Sequence, residues 1–425
     1  MINKLKPKSE FSRNVLTLMT GTTIAQAIPI AISPILTRIY TPEDFGVFAL
    51  YIAIASIVSV IATGRYEMAI MLPKKDSDAI NIVALSMLIS FFISFITLVI
   101  VFIFNSQITN LLNNHDISNW LYFIPVTILL TGIYQSFNYW SNRKKQYKRL
   151  ATSRVVQSGS TASANLGMGF GGLGSSGLII GQVLGQSIST TILGKLIWNE
   201  DKNKLKEIKN LKIFAMARRY IKFPKYDIPS NLFSVLSLQI SNILFNILFT
   251  STIAGFYFFI NKILNVPIIL LSRTLGDVFK QKAAEDYIKF KSFKNIYLIT
   301  LKKLILISFL PAFILFIYAV EIVTFIFGSN WKVSGEIAQI LIPMFFLKFS
   351  ISPLTYTFYI VEKQHLNLIG QMILLLFTLL SFYLGYINNY FFLTVYCISI
   401  SYSIFYFINL LVTYKLVEKK LPKVN

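Results

Sequence analysis

Five basic side chains, Arg38, Arg65, Lys262, Arg273 and Lys348, fall inside long apolar runs. An ionisable group in a hydrocarbon layer is a functional candidate, because its cost at mid-depth is at least ~2.5 kcal/mol. At 1.5 Å per residue, Lys262 lies about 14 Å and Lys348 about 16 Å into its run, near the middle of a ~30 Å layer. Arg65 and Arg273 lie nearer one end, and Arg38 lies near the other. The acids available to offset them are Glu67 and Asp227, with Glu321 near an end. This surplus of cations predicts an interior that takes an anionic or hydrated occupant. Snorkelling to an interface is the ordinary alternative for Arg38, Arg273 and Arg65.

Glu67 is the best-placed carboxylate for coupling to an ion, and Asp227 is second. An ion pair with a neighbouring cation is the commoner role for such a group. Amides add a second chemistry. Asn231, Ser234, Asn242 and Asn246 share one helical stripe, with Gln239 at its edge. Gln26 shares another with Thr22, Ser33 and Thr37, and Asn261 and Asn265 lie one turn apart. Such groups suit sugar hydroxyls, although hydrogen bonding between membrane helices uses the same residues. Paired catalytic carboxylates, a Ser-His-Asp set and a metal-ligand cluster are all lacking. His115 and His365 are far apart, and Cys397 is the single cysteine. The expectation is therefore a non-enzyme with no metal and no cofactor, its work coupled at most to a proton or sodium gradient.

The elements that must position these groups follow from composition. Of 425 residues, 55% are hydrophobic and 14% charged, and the mean hydropathy is +0.63. Soluble domains carry roughly 25% charged residues. At roughly 20 apolar residues per crossing, the chain has material for about twelve membrane helices. The fifth, near 154–174, is rich in Gly, Ser and Ala and reads weakly. The second and eighth read as continuous over 46–72 and 253–276. A polar start before a long apolar run predicts a first membrane helix rather than a cleaved leader. Gly177, Gly181, Gly185 and Ser189 recur every four residues, as close helix packing requires.

The net charge is +22, from 40 basic and 18 acidic residues. Of the 40, 34 fall in alternate connections and the two tails, against Lys332 alone in the other connections. That alternation predicts cytoplasmic N- and C-termini and an even number of spans. It accounts for the charge without nucleic acid. Phe45–Tyr51 aligns with Ala254–Ile260 at an offset of 209, which sets Gly46 over Gly255, and Lys145-Gln146 aligns with Lys363-Gln364. The expectation is a six-helix unit repeated in parallel, with residues 1–200 as an N-terminal lobe, 201–222 as a basic cytoplasmic linker and 223–425 as a C-terminal lobe.

Three motifs carry a resemblance. Leu36-Thr-Arg-Ile-Tyr-Thr-Pro-Glu-Asp-Phe-Gly-Val-Phe-Ala-Leu-Tyr51 resembles the first-loop signature of bacterial polysaccharide flippases. Gly64-Arg-Tyr-Glu-Met-Ala-Ile-Met-Leu-Pro73 resembles the end of their second span, and Phe223-Pro-Lys-Tyr-Asp-Ile-Pro-Ser230 the start of their second lobe. The chain thus resembles the O-antigen (Wzx-type) branch of the multidrug/oligosaccharidyl-lipid/polysaccharide (MOP) exporter superfamily. The resemblance implies an all-α integral membrane protein, two six-helix lobes around a cationic central cavity. It implies alternating-access movement of undecaprenyl-diphosphate-linked sugar repeats, for O-antigen, lipopolysaccharide or another surface polysaccharide, to the outer leaflet of the bacterial inner membrane. Its partners would be that lipid-linked glycan, membrane lipids, a polysaccharide polymerase and a chain-length regulator. Arg38 and Arg65 fall within the motifs, whereas Lys262 and Lys348 rest on depth. A drug or organic-cation antiporter of the same superfamily would want an acidic interior instead. A membrane polymerase or glycosyltransferase would want long outward loops, and the longest here is about 15 residues.

Overall fold

In a bilayer every backbone N–H and C=O must find a partner within the chain, which leaves helices as the default for apolar runs. A computed structural model describes residues 10–290 and 292–418, without the side chains of residues 10–16, 273, 274 and 277. Its main helices are α1 (Glu10–Ile39), α2 (Pro42–Ser59), α3 (Asp76–Leu111), α4 (Ile124–Arg143), α5 (Tyr147–Phe170), α6 (Gly174–Leu205) and α7 (Asn210–Arg219). They continue with α8 (Ile228–Leu248), α9 (Ser251–Pro267), α10 (Arg273–Phe290), α11 (Lys294–Phe327), α12 (Lys332–Ile351), α13 (Gln364–Ile387) and α14 (Phe391–Glu418). No strand occurs among the described residues.

Eleven helical stretches in the described residues are long and apolar enough to cross a membrane. The weakly apolar fifth span, α5, is a helix of 24 residues although it is not among those eleven. By packing, the chain divides into Met1–Gly255 and Phe256–Asn425.

In the first unit α5 packs along α6 and α1, and the glycines show why they can approach closely. A Cβ on Gly181 would lie 1.9 Å from Asn165 Oδ1, and one on Gly185 1.8 Å from Thr161 Oγ1. Gly169 and Gly177 leave room for Tyr40, whose buried hydroxyl donates to the Asn165 carbonyl at 2.7 Å. The four-residue glycine repeat is therefore a packing surface. Thr41 caps α2 in a capping box with Asp44, and Pro42 opens the helix, so the Thr-Pro-Glu-Asp motif is a helix start.

The repeat glycines meet one another in the same unit. A Cβ on Gly46 would sit 1.8 Å from the Ser251 carbonyl oxygen, and one on Gly255 1.7 Å from that of Pro42. Pro42 and Ser251 are themselves offset by 209, so the contact is reciprocal. Asn246 of α8 adds a hydrogen bond to the Gly46 carbonyl at 3.3 Å, and α8 lies against α2.

Of two spans expected to be continuous, the second is broken and the eighth changes its helical winding. α2 stops at Ser59, and turns carry the chain to a 3₁₀ segment, Tyr66–Met71. Gly64 (φ 60°) and Arg65 (φ 63°) are both left-handed there, a conformation an α-helix cannot continue through. The eighth span stays helical through Ser272 but widens after Pro267 into a π-helical turn at Ile268–Ser272, which leads directly into α10. Proline's missing N–H accounts for the change of winding at that point. Another π-helical turn, Phe223–Asp227, precedes α8.

In the second unit α12 packs between α11 and α14, and α13 packs on α14. Its core includes Phe279, Phe293, Tyr297 and Leu354, with Trp331 4.5 Å from Phe259.

Candidate functional site

The break after α2 places Arg65 where a continuous helix would not. Its Nε donates to Asp227 Oδ2 at 2.6 Å, and its Nη1 lies 3.3 Å from Glu67 Oε1. Nη2 rests on the Met68 sulfur at 3.1 Å. Glu67 is 1% exposed and also accepts a hydrogen bond from the Thr63 hydroxyl, four residues earlier. Asp227 ends the π-helical turn before α8, and its carbonyl accepts from Asn231 Nδ2 at 3.0 Å. One guanidinium thus joins the α2 break to the foot of α8. With all three groups ionised, the cluster carries one net negative charge. The ordinary role expected of Glu67 and Asp227, an ion pair with a nearby cation, is what the geometry shows, and that cation is Arg65.

The second unit holds the opposite balance. Lys348 of α12 donates from Nζ to Asn265 Oδ1 of α9 at 2.8 Å, and lies over the Phe345 ring at 5.2 Å. Asn265 in turn donates to Asn261 Oδ1 at 2.9 Å and to its carbonyl at 2.7 Å. The two amides, one turn apart, form a short ladder that turns an oxygen toward the lysine. An amide oxygen satisfies an ammonium donor without neutralising it. Lys262, on the same helix, is exposed and lies 5.9 Å from the Phe258 ring centroid. Neither lysine has a carboxylate partner among the described residues. Lys262 and Lys348 therefore give this unit two uncompensated charges in segments read as mid-membrane.

The remaining candidates are spread out. Arg38 is exposed in the last turn of α1. Gln26 is half-buried on the same helix. Asn242 and Asn246 are buried within the first unit. Asn242 donates to Gln239 Oε1 at 3.0 Å, and the Oδ1 atoms of Asn242 and Asn246 have no partner. Arg273 opens α10, and its side chain lies outside the described residues.

Three participants escape a reading by depth and type. Thr63 and Met68 are neutral, and their role depends on the left-handed turn at Arg65. Arg149 is counted by sequence as a flanking cation but is 4% exposed, bound to Glu200 and to Asp201 at 2.9 Å. Trp140 Nε1 donates to the same Asp201 at 3.1 Å. The signal available was the adjacent acid pair Glu200-Asp201 in an otherwise basic stretch.

Twenty-six solved chains are similar in fold. An inward-facing multidrug-resistance MATE-family transporter of the MOP superfamily matches over 96% of both chains, with TM-score 0.69 and 12% identity. The inward closed form of the lipid II flippase MurJ matches over 95% of this chain and 87% of that one, with TM-score 0.67 and 13% identity. A MOP-superfamily transporter from Pyrococcus furiosus, titled for the reverse polarity of its binding pocket, matches over 96% of both, with TM-score 0.63 and 15% identity. The protein thus has the fold of MOP-type transporters and is a multi-pass membrane protein. The family described as "Polysaccharide biosynthesis protein" matches residues 35–336, so the chain belongs to that family. No curated protein matches the sequence significantly.

Proposed function

We propose that the protein is a flippase that carries undecaprenyl-diphosphate-linked oligosaccharide repeats from the cytoplasmic to the outer leaflet of a bacterial inner membrane by alternating access. The observation that carries this reading is the pair Lys262 and Lys348, two cations in apolar helices with amide or aromatic company and no carboxylate. Leaving a cation unneutralised there is costly unless an anion arrives. A diphosphate supplies that anion and two or more strong acceptors. The neighbouring Asn261 and Asn265 offer amides to the sugar. The family's link to polysaccharide biosynthesis and the fold shared with a lipid II flippase support a lipid-linked glycan as cargo. Both termini lie in the cytoplasm in this reading, in keeping with the 34 flanking cations.

Glu67 and Asp227 are the groups through which a proton or sodium gradient would act, by exchanging Arg65 for the ion. The protein performs transport rather than covalent chemistry, and a polymerase and chain-length regulator act on what it delivers. An organic-cation antiporter is disfavoured because Glu67 and Asp227, the carboxylates within the apolar segments of the first unit, are already held by Arg65.

The test is translocation of a lipid-linked repeat unit in reconstituted vesicles. Lys262→Ala and Lys348→Ala are each expected to slow transport at least tenfold, and Lys348→Arg is expected to retain part of it. Wild-type rates in both alanine variants would remove the reading.

A further inference from the structure

A cavity of about 530 Å³ lies within the first unit, and none of the residues that line it belongs to the Arg65 cluster. Its size falls in the ~300–1,000 Å³ range of ligand sites. Phe91 of α3, Phe137 of α4, Gly194 and Trp198 of α6 and Ile213 of α7 contribute to its wall, which is almost wholly apolar. Leu205 at the end of α6, Ile208 in the connection and Asn210 at the start of α7 also line it.

α7 adds an independent observation. It lays Ile213 and Met216 against the core of this unit, yet Leu211 is 87% and Phe214 64% exposed on another face. Arg218 lies over the Phe214 ring at 5.4 Å, one turn further along. A short helix with apolar residues on its free face and arginines at its end belongs in a membrane interface, not in water. Trp198, 61% exposed at the cavity wall, fits the same depth, where tryptophan collects.

The charges select the kind of lipid. Lys206 and Lys209 are exposed and alternate with the lining residues Leu205, Ile208 and Asn210. The nearby acids are already engaged: Glu200 and Asp201 by Arg149, Glu207 by Lys204 at 3.0 Å, and Asp78 by Lys212 at 3.8 Å. Arg218 and Arg219 lie over the rings of Phe214 and Tyr220 rather than on carboxylates. The part of the wall from Leu205 to Asn210 therefore lies beside uncompensated positive charge.

We propose that this cavity is a binding site for an anionic phospholipid, with one acyl chain inside it and the headgroup phosphate against Lys206 and Lys209. A zwitterionic lipid fills the same apolar volume but gains little from the cations. The site stands whether or not the protein is a flippase, since none of its residues belongs to the Arg65 or Lys348 clusters.

The full-length protein in detergent is titrated with dioleoyl phosphatidylglycerol or dioleoyl phosphatidylcholine, and bound lipids are counted by native mass spectrometry. Phosphatidylglycerol is expected to bind more tightly. Lys206→Gln/Lys209→Gln, two exposed positions that leave packing intact, is expected to weaken it by about fivefold per cation removed, with phosphatidylcholine unchanged. Gly194→Leu, which places a side chain toward Phe137, is expected to weaken both lipids. Equal affinity for the two lipids, or unchanged phosphatidylglycerol binding in the double glutamine variant, would overturn the proposal. So would displacement of phosphatidylglycerol by undecaprenyl phosphate at equal concentration, which would assign the cavity to an isoprenoid chain.

Discussion

Replacing Arg65 with methionine removes the guanidinium while keeping a side chain of similar reach. At 3.3 Å and an effective dielectric near 20, the attraction between Arg65 and Glu67 is about 5 kcal/mol before desolvation. That between Arg65 and Asp227, at 2.6 Å, is slightly larger, but Asp227 is 31% exposed and water takes over much of it. Glu67 has no such relief at 1% exposure. Stripping the partner from a buried ion costs roughly 3–5 kcal/mol. The Thr63 hydroxyl stays behind on Glu67, which favours the lower end of that range. Arg65→Met is therefore expected to destabilise the protein by about 3 kcal/mol. Glu67→Gln alone leaves Arg65 on Asp227 and is expected to cost about 1 kcal/mol, as for a weakened hydrogen bond. The double variant Arg65→Met/Glu67→Gln no longer buries an unpaired charge, so it recovers about 2 kcal/mol relative to Arg65→Met. The measurement is equilibrium unfolding of the purified protein in mixed micelles as the denaturing detergent fraction rises. A double variant no more stable than Arg65→Met would refute the reasoning, because it would show that the buried carboxylate never depended on Arg65.

Gly46→Val and Gly255→Val are each expected to abolish a monodisperse elution profile. Their Cβ atoms would fall 1.8 Å and 1.7 Å from backbone oxygens, and backbone cannot rotate away as a side chain can. Gly159→Ala, at a position with nothing within 4 Å, is expected to elute normally. Arg149→Ala is expected to lower the unfolding free energy by about 2–4 kcal/mol, since it strands Asp201 and Glu200. Arg149→Lys should recover less than half of that, because an ammonium cannot reproduce the guanidinium's paired contacts.

Much of the architecture was legible because a bilayer turns composition into structure. Apolar length predicts helices, and the alternation of Lys and Arg retained α5, whose Gly, Ser and Ala content hides it from hydropathy. The spacing of Gly177, Gly181 and Gly185 predicts close packing without saying against what. The answers are Asn165 and Thr161 on α5 and Tyr40 in the bend between α1 and α2. The break in the second span was less visible. Residues 46–72 are apolar apart from Arg65, Glu67 and a few small polar residues, and hydropathy does not register that Gly64 and Arg65 both adopt left-handed backbone. The Gly-Arg pair itself was the available clue. At the candidate site, type and depth singled out Arg65, Glu67 and Asp227. Their union could not be read, because Arg65 and Asp227 are 162 residues apart. Lys348 and Asn265 were each singled out, but their hydrogen bond depends on how α12 faces α9.

The ion pairs at the basic end of the first unit give the same residues two duties at different times. Arg143 and Lys144 close on Asp76 at 3.0 and 2.9 Å, and Arg149 closes on Glu200 and Asp201. While the chain is being inserted none of these contacts exists, and each cation stands alone as a signal that holds its segment on one side of the membrane, a signal to which acids contribute little. Once the helices assemble, the same charges become clasps between segments that entered the bilayer separately. A lysine and an alanine at Arg149 should therefore fail differently. The lysine keeps the charge that orients the segment and only loosens the clasp, while the alanine removes the signal and the clasp together.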